Sequence, residues 1–156
     1  MQGVLANLLV AILAAMLIVV AAGDLRNRLI PNWLNLAIAL TAIPFWWLSG
    51  YALWPDIAIQ IGLAAGLFMF FAIIFHLGMM GGGDVKLLAA LGLWLPFASM
   101  VKLLVIMSIA GGVLTLVMLA RKWRTSSEEK TEVPYGVAIA FAGMWLIGER
   151  FLYQFG

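Results

Sequence analysis

The sequence predicts an all-α integral membrane protein, a polytopic bundle of about six transmembrane helices. Hydrophobic residues make up 65% of the 156 residues and charged residues only 10%. A soluble domain is about half apolar and roughly a quarter charged, because its surface faces water. Charge-free stretches also recur along the chain, and a spanning helix needs about 20 mainly apolar residues. We therefore expect one membrane-embedded domain over residues 1–156.

The charged residues divide the chain into its predicted helices. These helices cover residues 3–23, 31–49, 56–76, 84–97, 99–120 and 133–152. The fourth stretch is short for a span, so it either begins in a glycine-rich re-entrant segment or extends through Lys86, whose ammonium reaches the interface. Five spans are the alternative to six. The polar segment 121–132 is predicted to be a solvated connector.

The composition excludes several classes of site. The chain has no Cys and one His, which excludes disulfides, thiolate zinc sites and cysteine nucleophiles and argues against a histidine metal site. A net charge of +2, scattered along the chain, is too small to indicate a nucleic-acid partner. We expect membrane lipid as the surrounding medium.

The basic residues predict the orientation. None precedes the first span, so the N-terminus is expected outside the cell. Six alternating spans then leave two basic residues, Lys102 and Arg150, on the outer side. The other seven fall on the cytoplasmic side, as the positive-inside rule requires: Arg26, Arg28, Lys86, Arg121, Lys122, Arg124 and Lys130.

Two aspartates are the candidate catalytic residues. Asp24 closes the first predicted span and Asp84 opens the fourth, so both are expected at the cytoplasmic edge of the bilayer. A carboxylate at membrane depth is costly, by about 2.5 to 3.5 kcal/mol at mid-bilayer on insertion scales. Two neighbouring carboxylates can share one proton, as in an aspartyl protease, where one acid activates a water and the other protonates the leaving amine.

Each aspartate also has a simpler structural interpretation. Asp24 can be an interfacial anchor paired with Arg26 or Arg28. Asp84 follows a glycine run and can be a helix N-cap, a role compatible with catalysis.

Three consecutive glycines, Gly81, Gly82 and Gly83, precede Asp84. Such a run does not suit the interior of a transmembrane helix, because glycine costs backbone entropy. It does allow a sharp bend and the close approach of a substrate strand. A phosphate-binding loop is excluded, since the pattern G-x-x-x-x-G-K-[ST] is absent.

These residues resemble a known family. The segment 81–92, GGGDVKLLAALG, together with Asp24 seven residues before Pro31 in an Ile-Pro-Asn sequence, resembles the type IV prepilin peptidases, membrane aspartyl proteases of the GxGD type. The segment 133–140, VPYGVAIA, is similar to the last helix of that family. The similarity spans residues 24–140.

The resemblance implies a specific activity. It implies cleavage of a short basic leader from pilin or pseudopilin precursors, just before the apolar N-terminal helix of the mature pilin. Asp24 and Asp84 match the catalytic pair of the family. The reaction would take place at the cytoplasmic face of the bacterial inner membrane, without a metal or cofactor.

The length indicates a subgroup. Larger prepilin peptidases carry an N-terminal extension with paired cysteines and add N-methyltransferase activity. This sequence shows neither feature and is most similar to the compact peptidases of tight-adherence (Flp) pilus systems. We expect no separate methyltransferase domain.

Supporting roles are predicted around the dyad. Gly81, Gly83 and Lys86 would form a supporting loop, in which Lys86 either holds a substrate acid, tunes the dyad or reaches the interface. A substrate channel is predicted from residues at the start of the last helix: Pro134, Tyr135 and Gly136. Their alternative role is to start that helix, with Tyr135 at the interface.

Three other classes of protein remain as alternatives. A presenilin-type or signal-peptide-peptidase-type protease shares the GxGD motif, but Gly23 rather than Tyr precedes the first Asp and no Pro-Ala-Leu occurs in the late helix. A proton-coupled transporter uses paired acids, usually at mid-membrane and within internal repeats. A non-catalytic subunit of a pilus or secretion assembly would not need two acids beside three glycines.

Overall fold

The computed structural model describes residues 2–125 and 133–155, and these residues form an all-helical bundle. It confirms the predicted fold class. A short helical turn at Leu53–Ile57 precedes the third helix. The α-helices of the described residues are α1 (Gln2–Asn27), α2 (Asn32–Leu48), α3 (Ala58–His76), α4 (Gly82–Gly92), α5 (Phe97–Thr125) and α6 (Tyr135–Phe155).

Not every helix is long enough to cross a bilayer. Among the described residues, four helical segments are long and apolar enough: Gln2–Asn27, Leu53–His76, Phe97–Arg121 and Tyr135–Leu152. Helix α2 is apolar but shorter, with 17 residues. Helix α4 has 11 residues, or about 16 Å at 1.5 Å per residue, roughly half the apolar thickness of a bilayer. The predicted fourth helix thus ends at Gly92, before the turn that leads to Pro96, and does not span alone.

Helices α1 and α5 continue four or five residues past their predicted ends. Helix α1 extends to Asn27 and α5 to Thr125, through charged residues that were expected to end them. Arg and Lys favour helix and can extend their charged ends to the interface, so helical hydrogen bonding continues beyond the apolar stretch. The predicted connector 121–132 is therefore helical up to Thr125, and its remainder lies outside the described residues.

The buried face of α1 leads directly to Asp24. Its buried residues recur at alternating spacings of four and three, which is the pattern of a helix that packs along one stripe. They are Ala6, Val10, Leu13, Leu17, Val20 and Asp24. Helix α1 packs against α6 and α2. Asp24 thus occupies a position of the stripe that faces the neighbouring helices.

Helix α4 lies in the centre of the bundle. Seven of its residues are buried, and it contacts α2, α3, α5 and α6. The end of α4 is tied to α2, because the Trp46 indole N–H donates to the Leu93 carbonyl at 2.7 Å and the Trp94 indole N–H donates to the Ile38 carbonyl at 2.7 Å. Gln60 of α3 also donates to the Leu93 carbonyl, at 3.4 Å. The position of α4 is therefore fixed by both packing and hydrogen bonds.

Candidate active site

Asp24 lies in the last turn of α1, beside the start of α6. Its side chain is buried, and its Oδ2 atom accepts a hydrogen bond of 3.0 Å from the backbone N–H of Val137. Val137 belongs to the first turn of α6, where backbone N–H groups have no acceptor four residues earlier in the helix and the helix dipole favours negative charge. Its N–H is shared between Asp24 and the Pro134 carbonyl, which lies at 3.2 Å. The end of α1 and the start of α6 together hold this carboxyl group.

Gly136 makes this arrangement possible. A Cβ atom at that position would lie 2.8 Å from Asp24 Oδ2 and 2.8 Å from Ile30 Cδ1. Neither distance is compatible with a side chain at residue 136 unless the neighbours move. Glycine thus lets the Asp24 carboxyl group lie directly against the backbone of α6 without being displaced.

Asp84 lies in the first turn of α4, after the glycine run. Its side chain is buried, and its backbone N–H donates to the Gly81 carbonyl at 3.2 Å. A Cβ atom on Gly81 would come within 3.0 Å of Asp84 Oδ2. The next two glycines lie against other parts of the chain, Gly82 against the Phe75 ring of α3 and Gly83 against Ile30, between α1 and α2. The run therefore gives the Asp84 carboxyl group room and lets the start of α4 pack closely.

The two aspartates line one cavity at the same end of the bundle. The cavity has a volume of about 460 Å³, and part of its wall is polar. Asp24 reaches it from the C-terminal end of α1 and Asp84 from the N-terminal end of α4. The full lining is Asp24, Arg28, Gly78, Met79, Met80, Gly81, Asp84, Val133 and Tyr135. Two acids far apart in sequence thus face one space large enough for a peptide segment.

The electrostatics of the cavity favour a proton on Asp84. Asp84 belongs to α4, which is not one of the membrane-spanning helices. Burial is the main cause, and the negative charge of Asp24 the second, that together raise the pKa of Asp84 from 3.8 to about 7, against an opposing hydrogen bond to the backbone at Gly81. A carboxyl group with such a pKa holds its proton through much of the neutral range, so it can donate that proton in a reaction.

The other predicted site residues lie in different places. Gly81 and Tyr135 line the cavity, and Gly136 contacts Asp24. Gly83 packs against Ile30 instead of lining the cavity. Lys86 is not in the lining either: its Nζ atom donates to Asn32 Oδ1 at 2.8 Å, which ties α4 to α2. Pro134 immediately precedes α6 and is also absent from the lining.

Two residues have a place at the site that the sequence does not predict. Arg28 fits the charge pattern of the topology, but it also lines the cavity, at a turn where its φ of 52° lies in the left-handed region. Asn35 is buried, and its Nδ2 atom donates to the Gly83 carbonyl at 3.1 Å. Its sequence signal is an amide within the largely apolar α2.

A metal site is not formed by these residues. Over residues 2–125 and 133–155, no group of three or more His, Cys, Asp or Glu side chains is arranged to hold a metal ion.

The chain is similar in sequence to known bacterial proteins. The chain is 29% identical over 147 residues to a prepilin leader peptidase/N-methyltransferase of Xanthomonas campestris pv. campestris, covering 87% of this chain and 47% of the relative. It is 31% identical over 142 residues to a protein of the same name in Pectobacterium carotovorum subsp. carotovorum, covering 86% of this chain and 48% of the relative. The chain therefore spans less than half the length of these relatives.

The family comparison covers the part of the chain that contains both aspartates. No solved structure matches the chain significantly. The model of the type IV leader peptidase family matches residues 11–116, which include most of α1, all of α2 to α4 and most of α5. With a match over more than half of its length, this chain belongs to the type IV leader peptidase family.

Proposed function

We propose that this protein is a prepilin leader peptidase that uses Asp24 and Asp84 as an aspartyl dyad. The observation that carries the proposal is the shared cavity, into which α1 and α4 each bring one buried acid. Membership of the leader peptidase family and the names of the relatives support the substrate class, a pilin or pseudopilin precursor.

The surroundings of the two acids favour different roles. Asp24 accepts a backbone N–H from the first turn of α6, which stabilises a carboxylate, and it acts as the general base on a water molecule. Asp84 holds the proton and polarises the scissile carbonyl. When the water attacks, its proton passes to Asp24 and its oxygen bonds to the carbonyl carbon. Breakdown of the tetrahedral intermediate breaks the C–N bond, and the leaving nitrogen takes a proton from the dyad.

The active site is proposed to lie at the cytoplasmic face, with the N-terminus outside. Lys102 and Arg150 lie at the opposite end of the bundle from the dyad, near the start of α5 and the end of α6. Lys102 there forms an ion pair of 3.5 Å with Glu149. Of the other seven basic residues, Lys130 lies outside the described residues, and six belong to chain segments at the dyad end: Arg26, Arg28, Lys86, Arg121, Lys122 and Arg124. This is the asymmetry expected of an inward-facing end. The leader of the substrate would reach the cavity from this side.

A cleavage assay tests the proposed activity. The chain is co-expressed with a small Flp-type pilin precursor, and loss of the leader is followed by gel mobility and mass spectrometry. Asp24→Asn and Asp84→Asn should each reduce cleavage by at least about 100-fold, since each removes one acid–base function. Asp56→Asn is the matched control, because Asp56 is an exposed acid that binds the Ala52 backbone N–H before α3.

The outcomes separate the function from the assignment of the dyad. Cleavage by the parent and Asp56→Asn, but by neither dyad variant, would support the whole proposal. Cleavage that survives either dyad substitution would remove that aspartate from the mechanism. Failure of the purified parent to cut any of a panel of pilin and pseudopilin precursors would overturn the peptidase function.

A further inference from the structure

One buried amide connects α2 to the glycine run of the active site. The side chain of Asn35 is only 4% exposed, and its Nδ2 atom donates to the Gly83 carbonyl at 3.1 Å. This carbonyl belongs to the peptide group whose nitrogen is that of Asp84. The hydrogen bond therefore holds the peptide plane that leads directly into the catalytic side chain.

The glycine run needs such a support. Residues 81–83 have no side chains that could fix the turn, and glycine has the widest choice of backbone conformations. Within the turn, the N–H groups of Asp84 and Val85 both use the Gly81 carbonyl, at 3.2 and 3.3 Å. From outside, Phe75 and Ile30 limit the space around Gly82 and Gly83. These apolar contacts restrict position but have no directional preference, whereas a hydrogen bond has one.

Asn35 carries a cost that its position must offset. Its Oδ1 atom is buried and has no hydrogen-bond partner among the described residues. A buried acceptor without a partner costs about 1 to 3 kcal/mol. Leucine has the same number and branching of side-chain heavy atoms and would suit the largely apolar α2 better on stability alone. An amide is therefore favoured over leucine at this position only if the hydrogen bond from its Nδ2 atom to the Gly83 carbonyl has a function.

We propose that Asn35 is a positioning residue, which fixes the Gly83–Asp84 peptide and so aims the Asp84 carboxyl group at Asp24 and the substrate. The kinetic part of this inference rests on the proposed peptidase function. Asn35 does not line the active-site cavity, so it acts through the backbone and makes no contact with the substrate.

The bundle offers a matched control for Asn35. Gln60 is another buried amide, also 4% exposed, and it donates to a carbonyl at the far end of the same helix, that of Leu93. Replacing either amide by leucine removes one hydrogen bond to an end of α4. Only the end held by Asn35 carries a catalytic residue.

The kinetic test compares Asn35→Leu with Gln60→Leu. Asn35→Leu should lower kcat by about 10- to 100-fold with KM within about 2-fold, since small displacements of a reacting group cost about this much. Gln60→Leu should keep kcat within about 2-fold. Equal losses in both variants, or a loss confined to KM, would overturn the proposal, because general loosening of α4 or altered substrate binding would then explain the effect.

A third variant separates the hydrogen bond from the packing. Asn35→Asp keeps the shape, and its carboxyl group can donate to the Gly83 carbonyl only when it is protonated. The activity of Asn35→Asp relative to the parent should exceed that of Asn35→Leu. It should be greatest at the lowest pH at which the parent can be assayed. An Asn35→Asp variant no more active than Asn35→Leu at any pH would contradict a role of the donor.

Hydrogen exchange tests the positioning without any substrate. In detergent micelles, the peptide containing residues 81–85 should exchange faster in Asn35→Leu than in the parent, and Gln60→Leu should leave its exchange unchanged. This result is expected even if the pilin precursors are not the substrate, so it separates a failure of the peptidase proposal from a failure of this one. Unchanged exchange of residues 81–85 in Asn35→Leu would overturn the positioning role.

Discussion

At the scale of single residues, Gly136 is where a small change should have the greatest effect on Asp24. In Gly136→Ala, the new Cβ would lie 2.8 Å from Asp24 Oδ2 and 2.9 Å from its Cγ, so the carboxyl group must move. We expect cleavage to fall by at least about 10-fold, as the base leaves its position. Initial rates measured beside Gly148→Ala check this, because Gly148 is a glycine of the same helix with open space around it. Full activity of Gly136→Ala would show that Asp24 need not be held so closely.

The second prediction at this scale concerns pH. Because the pKa of Asp84 is raised to about 7, Asp84 loses its proton above that pH, and the cleavage rate should fall about tenfold per pH unit on the alkaline side. Initial rates between pH 5 and 9 would measure this limb, in which the dyad titrates as a unit. A rate that stays constant up to pH 9 would show that the proton on Asp84 is not needed.

The same pKa shift has a consequence for stability. Asp84 binds its proton more tightly in the folded state than in the unfolded chain, where its pKa is 3.8. Its contribution to the free energy of unfolding is therefore greatest below pH 3.8 and declines as the pH rises to about 7. Asp84→Asn removes this decline. Its Tm should therefore exceed that of the parent by a few degrees at pH 8, although we expect the variant to be inactive. A lower Tm for Asp84→Asn at pH 8 would contradict the cost of burying this charge.

At the scale of elements, α4 is held against α3 by a close contact at Gly92. A Cβ at this position would lie 2.8 Å from Leu67 Cδ1 and 3.2 Å from the Ala64 Cα. Gly92→Leu should separate the two helices, lower the Tm and reduce cleavage, because α4 carries Asp84. Gly62→Leu, at an open position of α3, is the control and should change neither. Equal Tm values for the two variants would contradict a close α3–α4 contact.

At the scale of the whole molecule, the prediction concerns orientation in the membrane. The chain has no Cys, so single cysteines report accessibility without a background. Leu53→Cys lies before α3 at the end opposite the dyad, and Asn27→Cys lies at the end of α1 beside it. A membrane-impermeant maleimide should label Leu53→Cys in intact cells and Asn27→Cys only after the membrane is opened. The reverse pattern would invert the proposed topology while leaving the dyad assignment intact.

The sequence determined the class of the protein and the positions of its acids along the chain. Apolar stretches without charge predict membrane helices, because the bilayer cannot solvate charge or free backbone groups. An acid that closes one such stretch and an acid that opens another can be recognised without coordinates. The bend predicted before Asp84 is also a local signal, because three consecutive glycines allow the backbone to turn sharply.

Only the tertiary structure decided which groups meet. The contact of Gly136 with Asp24 joins residues 112 positions apart, and the hydrogen bond from Asn35 to Gly83 joins residues 48 apart. The sequence position of Lys86, two residues after Asp84, predicts a place beside the dyad. In the structure, the rotation of α4 directs its ammonium away from the cavity, to a hydrogen bond with Asn32 Oδ1. Such contacts depend on how helices rotate and approach one another, which the packing of all side chains sets together. Local sequence signals fix a helix and its apolar face but do not specify the partner of each atom on that face.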